Sequence, residues 1–254
     1  MNSTLFDYEW QYLIQMITRL NNCPTYAETC NTYLQQIRAL IPYGSGIIFQ
    51  AKRENGQIVL SNPISTENLN DKSDHDFFIK GQYPHWDKFL MLPYSSVFRQ
   101  SDIIPPGKWE STRVYRDMWQ QKGMYWGLLV SLVCKDVPLA VLCLQRTKDS
   151  DDFTPRDVFI LNTLKDPLER KFISLPESNK LIGTAGADRI LKTAASFNLT
   201  KRETEIVGLI CEGKSGDEMC KTLYITHATL SKHLSNIYSK TKVKNRTQLF
   251  ALFH

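Results

Sequence analysis

Residues 197–254 read FNLTKRETEIVGLICEGKSGDEMCKTLYITHATLSKHLSNIYSKTKVKNRTQLFALFH, and this stretch decides the fold of the C-terminal part of the chain. Its spacing predicts four short helices, the third over residues 226–240 and the fourth over roughly 247–253. Two of them are joined by a tight turn at residues 224–225, which is typical of a helix-turn-helix. Three N-cap signals open these helices: Thr200 with Glu203, Ser215 with Glu218, and Thr226.

The third helix has one apolar and one polar side. Leu230, Leu234 and Ile237 recur at steps of four and three residues, so they define a buried stripe. The opposite side is polar and carries no acid, as a helix entering the major groove of DNA requires. We therefore predict that four residues read base edges: Ser231, Lys232, Ser235 and Asn236.

The C-terminal charge has a single sign. The whole chain is only +5, and from Met219 to the end it contains six Lys or Arg and no Asp or Glu, so the remainder is about neutral. A charge run is often just a solvated face, but on a helix-turn-helix it favours phosphate contacts. The predicted phosphate-binding residues are Lys221, Thr226, Thr229, Lys240, Lys242, Lys244 and Arg246.

The segment resembles the DNA-binding domain of LuxR-type (also NarL/FixJ-type) bacterial transcription regulators. The resemblance is carried by Leu199-Thr200, Arg202-Glu203, Glu205, Gly213, Ser215, Glu218, Thr229-Leu230, His233, Ile237, Lys240, Val243 and Asn245-Arg246. It implies sequence-specific binding of double-stranded DNA through the helix at 226–240, by a homodimer on half-sites about 10 bp apart. The sequence departs from the family pattern in having Gly216-Asp217 for Asn-Lys, Ser231 for Lys and Thr241-Lys242 for Leu-Gly.

The preceding residues predict a separate α+β domain. Helical spacing covers 5–20 and 25–41, strand-like runs at 46–51 and 57–60 flank Asn55-Gly56, and a helix is predicted over 108–122. Two longer apolar runs, 124–134 and 137–146, indicate a central antiparallel hairpin covered on both faces, and Thr154 caps another helix. We therefore predict a domain over 1–173, a linker over 174–196 and the DNA-binding domain over 197–254. The linker's last residues, 188–196, are predicted as a short helix.

This order of elements is similar to the GAF-like (and PAS-like) sensory domains that precede the helix-turn-helix in many LuxR-type regulators. The resemblance implies an antiparallel sheet flanked by helices, and control by a small-molecule effector or by dimerisation. Further residues that resemble such proteins are Arg99, Ser101-Asp102-Ile103-Ile104-Pro105-Pro106, Trp109, Tyr115, Asp152-Phe153-Thr154 and Asp157.

Residues 77–127 are rich in aromatic side chains, which commonly line apolar pockets. We predict that Trp86, Trp109, Tyr115 and Trp126 partly line a pocket beside the sheet; the alternative is that these rings are ordinary core. Acyl-homoserine-lactone receptors of the family have a Tyr four residues after the first Trp and then an Asp-Pro pair. Here Leu90 takes the Tyr position and no Asp-Pro pair precedes Trp109, so the sequence disfavours a lactone ligand and leaves another small molecule open.

Several functional classes are disfavoured by the sequence. It shows no catalytic constellation, no phosphate-binding glycine loop and no receiver-type acidic cluster, so neither an enzyme nor a cofactor is expected. Asp71, Asp74, His75 and Asp76 are interpreted as a solvated loop and not as a metal site. Six cysteines without C-x-x-C spacing predict free thiols. No signal peptide and no membrane span are indicated, so the protein is expected in the cytoplasm.

The sequence thus predicts a DNA-binding transcription regulator controlled through its N-terminal domain. The alternative is an effector-free regulator, whose N-terminal domain only dimerises or binds a partner protein.

Overall fold

The computed structural model describes residues 5–54, 57–66 and 87–253. They form two compact units, residues 1–181 and 182–254, within those described ranges. The first unit contains α1 (Asp7–Asn21), α2 (Tyr26–Ile37), β1 (Ser45–Glu54), β2 (Gln57–Ser65), α3 (Asp87–Leu90), β3 (Ser96–Arg99), α4 (Gln100–Ile103), α5 (Pro106–Trp109), a π-helical turn (Tyr115–Trp119), β4 (Met124–Cys134), β5 (Val137–Thr147) and α6 (Pro155–Ser174).

The first unit is built on one antiparallel sheet of five strands in the order β2-β1-β5-β4-β3. The long β4–β5 hairpin turns at Lys135 and Asp136, whose φ angles of 49° and 63° are typical of a type I′ turn. Both strands are buried along most of their length, so the prediction of a central hairpin covered on both faces is confirmed. The predicted β1–β2 hairpin also forms, with Glu54 opposite Gln57, whereas Asn55-Gly56 lies outside the described residues.

Helices cover one face of the sheet and aromatic side chains cover the other. Helix α6 packs against β3, β4, β5 and α1, while α2 packs against β1, β2 and α1. Val141 and Cys143 of β5 belong to the same apolar cluster as the buried tryptophans. Since side chains alternate along a strand, Leu142 and Leu144 face the opposite, helix-covered side. The predicted α+β fold, an antiparallel sheet flanked by helices, is therefore confirmed.

The prediction of one continuous helix over residues 108–122 is wrong. The chain leaves the helix after Trp109, and a π-helical turn follows at Tyr115–Trp119. In a regular helix, ten residues rise about 15 Å, which would hold the rings of Trp109 and Trp119 apart. The break instead buries both indoles, each 1% exposed, with their ring centroids 5.0 Å apart. Burial of two large rings in one core thus outweighs helical continuity.

The stretch expected as a linker is helical. Helix α7 runs from Pro176 to Ser196 without interruption, through the small and polar residues that suggested a flexible connection. Ala194, near its end, is 2% exposed and lies in the apolar core of the second unit. Burial against that core explains how a sequence of low intrinsic helix preference becomes ordered there, because most helix stability in proteins comes from packing.

The second unit consists of the end of α7 and the four predicted helices: α8 (Lys201–Cys211), α9 (Gly216–Leu223), α10 (His227–Thr241) and α11 (Arg246–Phe253). Its core is formed by Ile206, Val207, Ile210, Met219, Leu230, Ile237, Leu249 and Phe253. The all-α prediction for this region is confirmed. The last helix supplies Leu249 and Phe253 to the core, at 0% and 2% exposure, so core packing accounts for most of its apolar character.

Candidate nucleic-acid interface

The predicted caps hold the helices of the second unit in place. Thr200 accepts a hydrogen bond from the backbone of Glu203, and Glu203 accepts one from the backbone of Thr200 at 2.7 Å, which completes a capping box. Ser215 and Glu218 make the same reciprocal pair at the start of α9. These bonds satisfy backbone N–H groups that a helix start leaves without partners.

A sharp turn connects α9 to α10. Tyr224 adopts the left-handed conformation (φ 54°, ψ 45°) and ends α9, and Thr226 caps α10 by accepting from the Thr229 backbone N–H at 3.2 Å. Arg202 of α8 donates a hydrogen bond to the Leu223 carbonyl oxygen and so connects α8 to the end of α9, next to the turn. The geometry is that of a helix-turn-helix, with α10 as the second helix.

Helix α10 separates its buried and exposed sides as predicted. Leu230 and Ile237 are 4% and 0% exposed within the core, and Thr241 is also buried. Leu234 is half-buried against the same core. On the opposite side lie the four predicted base-reading residues, all exposed: Ser231, Lys232, Ser235 and Asn236. This side can present hydroxyl, ammonium and amide groups to base edges.

Six of the seven predicted phosphate-binding residues are exposed: Lys221, Thr226, Thr229, Lys240, Lys242 and Lys244. The hydroxyls of Thr226 and Thr229 lie 3.0 Å apart at the start of α10, where the helix dipole favours an anion. Lys242 ends α10 in the left-handed conformation (φ 57°), at the position where the family usually has Gly. We refer to three of these exposed lysines together as the basic rim: Lys221, Lys242 and Lys244.

The ammonium of Lys240 contacts an acid of α8, while its side chain remains 35% exposed. Its Nζ lies 2.7 Å from Oε2 of Glu203 and 3.2 Å from the Asn198 carbonyl oxygen. Burial of the Glu203 carboxyl acts to raise its pKa, but the Lys240 ammonium and the hydrogen bonds from Thr200 hold the pKa below its ordinary value. Lys240 therefore compensates a buried carboxylate, and its phosphate role stays a prediction.

Arg246 is also engaged within the domain. Its guanidinium donates to the carbonyl oxygen of Lys214, so it connects the start of α11 to the loop between α8 and α9. No signal in the sequence separates Lys240 and Arg246 from the other basic residues of the domain, because their partners are distant in the chain. Only the packing of the helices shows the difference.

Asp217, one of the departures from the family pattern, contacts a histidine at this surface. Its carboxylate, in the first turn of α9, lies close to the imidazole of His227, with 2.8 Å between Oδ1 and Nε2. Both side chains are exposed, at 78% and 67%. The resemblance to the family suggested no role for His227. The sequence also gave no indication that two residues ten positions apart are in contact.

The second candidate site, the aromatic region, is a packed cluster of rings. Trp109 and Tyr115 are buried with centroids 5.6 Å apart, and Tyr115 contacts Tyr125 at the same distance. Trp126 is partly buried at the edge of this cluster, 4.7 Å from Tyr125. The structure thus brings three of the four predicted pocket residues together, while Trp86 lies outside the described residues.

Close contacts fix this cluster. A Cβ placed on Gly127 would lie only 2.5 Å from the Trp119 ring, so glycine is required where the indole crosses β4. The Trp109 Nε1 donates to the Tyr125 carbonyl oxygen at 3.0 Å. The neighbouring Gln100 is 1% exposed, and its Oε1 has no hydrogen-bond partner in the described structure.

The sequence motif around Arg99 and Asp152 has a structural role. Arg99 pairs with Asp102 at 2.6 Å and donates to the Phe153 carbonyl oxygen at 3.0 Å. Ser101 donates to Asp152 at 2.6 Å. These contacts attach the β3–α4 segment to the loop that precedes α6. They account for the spacing of the motif without a bound ligand.

The C-terminal segment matches a known family. Residues 197–253 match the family model described as bacterial regulatory proteins, luxR family. The transcriptional regulatory protein LiaR of Bacillus subtilis is 47% identical over 57 residues, which are 22% of this chain and 27% of that protein. The response regulator protein VraR of Staphylococcus aureus is 41% identical over 70 residues, 26% of this chain and 34% of that protein. The chain thus spans about a third or less of these relatives' length.

One solved structure is similar in fold over most of the chain. Escherichia coli SdiA superposes with a TM-score of 0.50 and 16% sequence identity over 96% of each chain. The GAF domain of a two-component sensor histidine kinase from Bacillus halodurans gives 0.45 and 16% identity, over 63% of this chain and 99% of that one.

No helix in the described ranges combines the length and the apolar character that a bilayer crossing requires. All six cysteines are free thiols, as predicted.

The family match and the fold together show that the chain carries, at its C-terminus, a helix-turn-helix domain of the luxR family of bacterial regulatory proteins. An α+β domain with a five-stranded antiparallel sheet precedes it.

Proposed function

We propose that this protein is a transcription regulator that binds double-stranded DNA through α10. One observation carries the proposal: the polar side of α10 is exposed along its length, while its apolar stripe fills the core of the domain. A helix presented in this way fits the major groove, where each base pair shows a distinct pattern of donors and acceptors.

The contacts divide into two kinds. The lysines of the basic rim would neutralise phosphates and supply salt-dependent affinity; they are Lys221, Lys242 and Lys244. Lys232, with the hydroxyls and amide beside it, would meet base edges, and its ammonium could donate to the acceptors of guanine. Lys240 and Arg246 would act indirectly, since their bonds within the domain hold α10 and α11 in position.

Selection of bound duplexes from a random library tests this proposal. We expect enrichment of a short motif, with a second copy at a spacing of about 10 bp if two domains bind side by side. A library that shows no enrichment after several rounds would contradict sequence-specific binding. Repeating the selection with Lys232→Ala provides the control, because the base pairs read by Lys232 should lose their preference.

A homodimer is part of the proposal. One helix-turn-helix reads few base pairs, and two copies on adjacent half-sites extend the recognised sequence. Sedimentation of the protein with a selected duplex measures the stoichiometry directly. Two chains per duplex are expected, and a single chain on the full site would exclude the dimer.

The N-terminal domain is proposed to control DNA binding, with a small-molecule effector as the first candidate mechanism. The rings of Trp109, Tyr115 and Trp126 would border the effector, together with Trp86. The second candidate is an effector-free domain that dimerises or binds a protein, and the direct ring-to-ring contacts in the aromatic cluster favour it. Thermal shift against small-molecule pools separates the two, since a ligand specific for the folded state raises the melting temperature.

A regulator of this kind acts on chromosomal DNA, so we expect it in the cytoplasm and assign it no catalytic role.

A further inference from the structure

Large apolar side chains are exposed at the beginning of α1. Phe6, at the N-cap, and Tyr8 are 65% and 66% exposed, while Trp10 and Ile14 are 39% and 62% exposed. In the described structure, eight large hydrophobic residues are exposed, and these four lie within nine positions of the chain. The exposure is therefore concentrated on one helix and is not spread over the surface.

The fold does not need these side chains to hold α1 in place. The core side of the helix is supplied by other residues: Leu13, Met16 and Leu20. Phe6, Trp10 and Ile14 recur at steps of four residues, so they follow one side of the helix, and we call them the α1 stripe. Only the edge of Trp10 meets α6, where its ring centroid lies 6.4 Å from that of Phe159. The stripe is thus a surface feature beside the core.

The composition around the α1 stripe is that of a protein interface. All of α1 is described, and none of its exposed residues from Tyr8 to Thr18 carries a charge. The Tyr8 ring stacks on Phe6 with 5.6 Å between centroids, which extends the apolar surface at one end. Interface centres are depleted of charged residues and enriched in aromatic ones. A neutral face of this kind does not select a partner by opposite charge.

The exposed apolar area is large enough to matter for a dimer. A whole aromatic side chain has about 200 Å² of surface, so the exposed fractions of these four residues leave on the order of 400 Å² per chain. Contiguous apolar patches of a few hundred Å² mark interaction sites. Two copies of the patch supply about 800 Å², and the uncharged polar residues beside it bring the total near the roughly 1,200 Å² at which stable interfaces begin.

The spacing of the α1 stripe suits a contact with an identical surface. Phe6 lies four residues before Trp10, and Ile14 lies four residues after it. When two such helices pair antiparallel about a twofold axis at Trp10, Phe6 of each chain faces Ile14 of the other, and the two Trp10 rings meet. A twofold contact requires the same patch on both chains to be complementary to itself.

We propose that the α1 stripe is the surface through which two copies of this chain pair, antiparallel and about a twofold axis at Trp10. The choice of a second copy rests on the proposed function, which needs two DNA-binding domains on adjacent half-sites. Pairing through the first unit keeps two such domains on one particle. Binding of one domain then raises the effective concentration of the other at the neighbouring half-site.

Sedimentation velocity of the full-length protein without DNA, over a series of micromolar concentrations, tests the inference. The wild type should sediment with twice the mass of one chain. Ile14→Glu should raise the dissociation constant of the dimer at least about tenfold, because each dimer loses two apolar contacts and would have to desolvate two carboxylates. Phe6→Ser should act in the same direction without adding a charge. Both residues are exposed, so the circular dichroism spectra should match that of the wild type.

Two variants provide matched controls. Gln15→Glu adds the same charge to an exposed position of α1, about 100° around the helix from Ile14. Tyr94→Glu replaces a 60% exposed apolar residue of the same unit outside α1. Both should keep the wild-type dissociation constant. The inference is overturned by a wild type that stays monomeric, by a dimer that neither Ile14→Glu nor Phe6→Ser weakens, or by an equal loss with Gln15→Glu.

A lipid surface is the competing occupant, and flotation with vesicles of phosphatidylcholine and phosphatidylglycerol examines it. The wild type should not float with the vesicles. A monomeric wild type that floats, together with an Ile14→Glu variant that does not, would assign the α1 stripe to a membrane and overturn the pairing.

Duplex binding separates this inference from the proposed function. Ile14→Glu leaves the second unit unchanged, so it should bind a duplex with one half-site as the wild type does. It should bind a duplex with two half-sites at least about tenfold more weakly. A monomeric wild type that binds duplex DNA overturns the pairing alone. A dimer that Ile14→Glu dissociates, but that binds no duplex, supports the pairing and contradicts the proposed function.

Discussion

The exposed side of α10 and the aromatic cluster differ in how far their potential ligand-binding side chains are exposed to solvent. On α10, Ser231, Lys232, Ser235 and Asn236 are exposed, and they have no role in the apolar core beneath them. In the first unit, Trp109 and Trp119 are 1% exposed and contact each other directly. One region thus presents chemical groups at the surface, whereas the other packs its rings against one another.

This difference shows how strongly each region supports a function. A row of exposed polar residues contributes little to stability, so its groups are available to contact a partner. Buried rings contribute to stability whether or not a ligand exists, because each removes a large apolar area from water. The DNA-binding proposal therefore follows from placement, while an effector proposal needs a binding measurement.

The largest expected effect concerns the aromatic cluster. Trp119→Ala should lower the free energy of unfolding of the first unit by about 3–5 kcal/mol, since it leaves a cavity beneath Gly127. Chemical denaturation followed by circular dichroism measures this loss. Trp10→Ala is the control, because Trp10 is 39% exposed on α1 and its removal should cost clearly less. Equal losses for the two variants would show that the cluster is not a packed core.

On the exposed side of α10, Lys232→Ala should weaken binding to a selected duplex by about 1–3 kcal/mol and relax the choice of base pair at one position. The melting temperature should not change, because the lysine side chain is exposed. Binding to selected and to mutated duplexes, compared by anisotropy, measures both effects. If all sequences weaken equally, Lys232 contacts a phosphate and not a base.

Lys240 provides an internal comparison with Lys232, because both belong to α10. Lys240→Met should cost about 1–2 kcal/mol of unfolding free energy near neutral pH, since it leaves the buried Glu203 carboxylate without its ammonium partner. The pKa of Glu203 is lowered in the folded state. Its contribution is thus present above the ordinary glutamate pKa, about 4.3, and is lost as the pH falls through the folded value.

Denaturation at several pH values tests this prediction. The wild type should lose stability on acidification more steeply than Lys240→Met, while Lys244→Met, in which an exposed lysine is removed, should follow the wild-type profile. An identical acid profile for wild type and Lys240→Met would mean that the Lys240–Glu203 contact does not form in solution.

The smallest expected effect is that of Lys244→Ala. Its side chain belongs to the basic rim, so the variant should bind all duplexes somewhat more weakly. The slope of log K against log salt should decrease by about 1, because one phosphate contact is lost. Lys240→Met should leave this slope unchanged. A reduced slope for Lys240→Met would return Lys240 to the set of phosphate contacts.

The sequence predicts the second unit well because its determinants are local. Capping boxes at Thr200 and Ser215, the N-cap at Thr226 and the stop at Gly213, which has a φ of 79°, act within a few residues of each helix end. The apolar periodicity of α10 likewise assigns its buried and exposed sides. Each of these signals acts over less than two helical turns.

Long-range contacts explain what the sequence did not predict. The break after Trp109 depends on a tryptophan ten residues later and on Gly127 across the sheet. Strand β3 contains only four residues, too few for a clear alternating pattern, and it forms because β4 offers an edge. The internal roles of Lys240 and Arg246 depend on partners 37 and 32 residues away.

The most direct test of the central claim is the salt dependence of duplex binding by the full-length protein. We expect binding in dilute buffer, with a log K that falls steeply and linearly as the log of the salt concentration rises. Lys244→Ala should reduce the slope of this plot, and Lys232→Ala should reduce the sequence preference. Failure to bind duplex DNA even at low salt, or binding that neither substitution changes, would contradict the assignment of α10 as the DNA-reading helix.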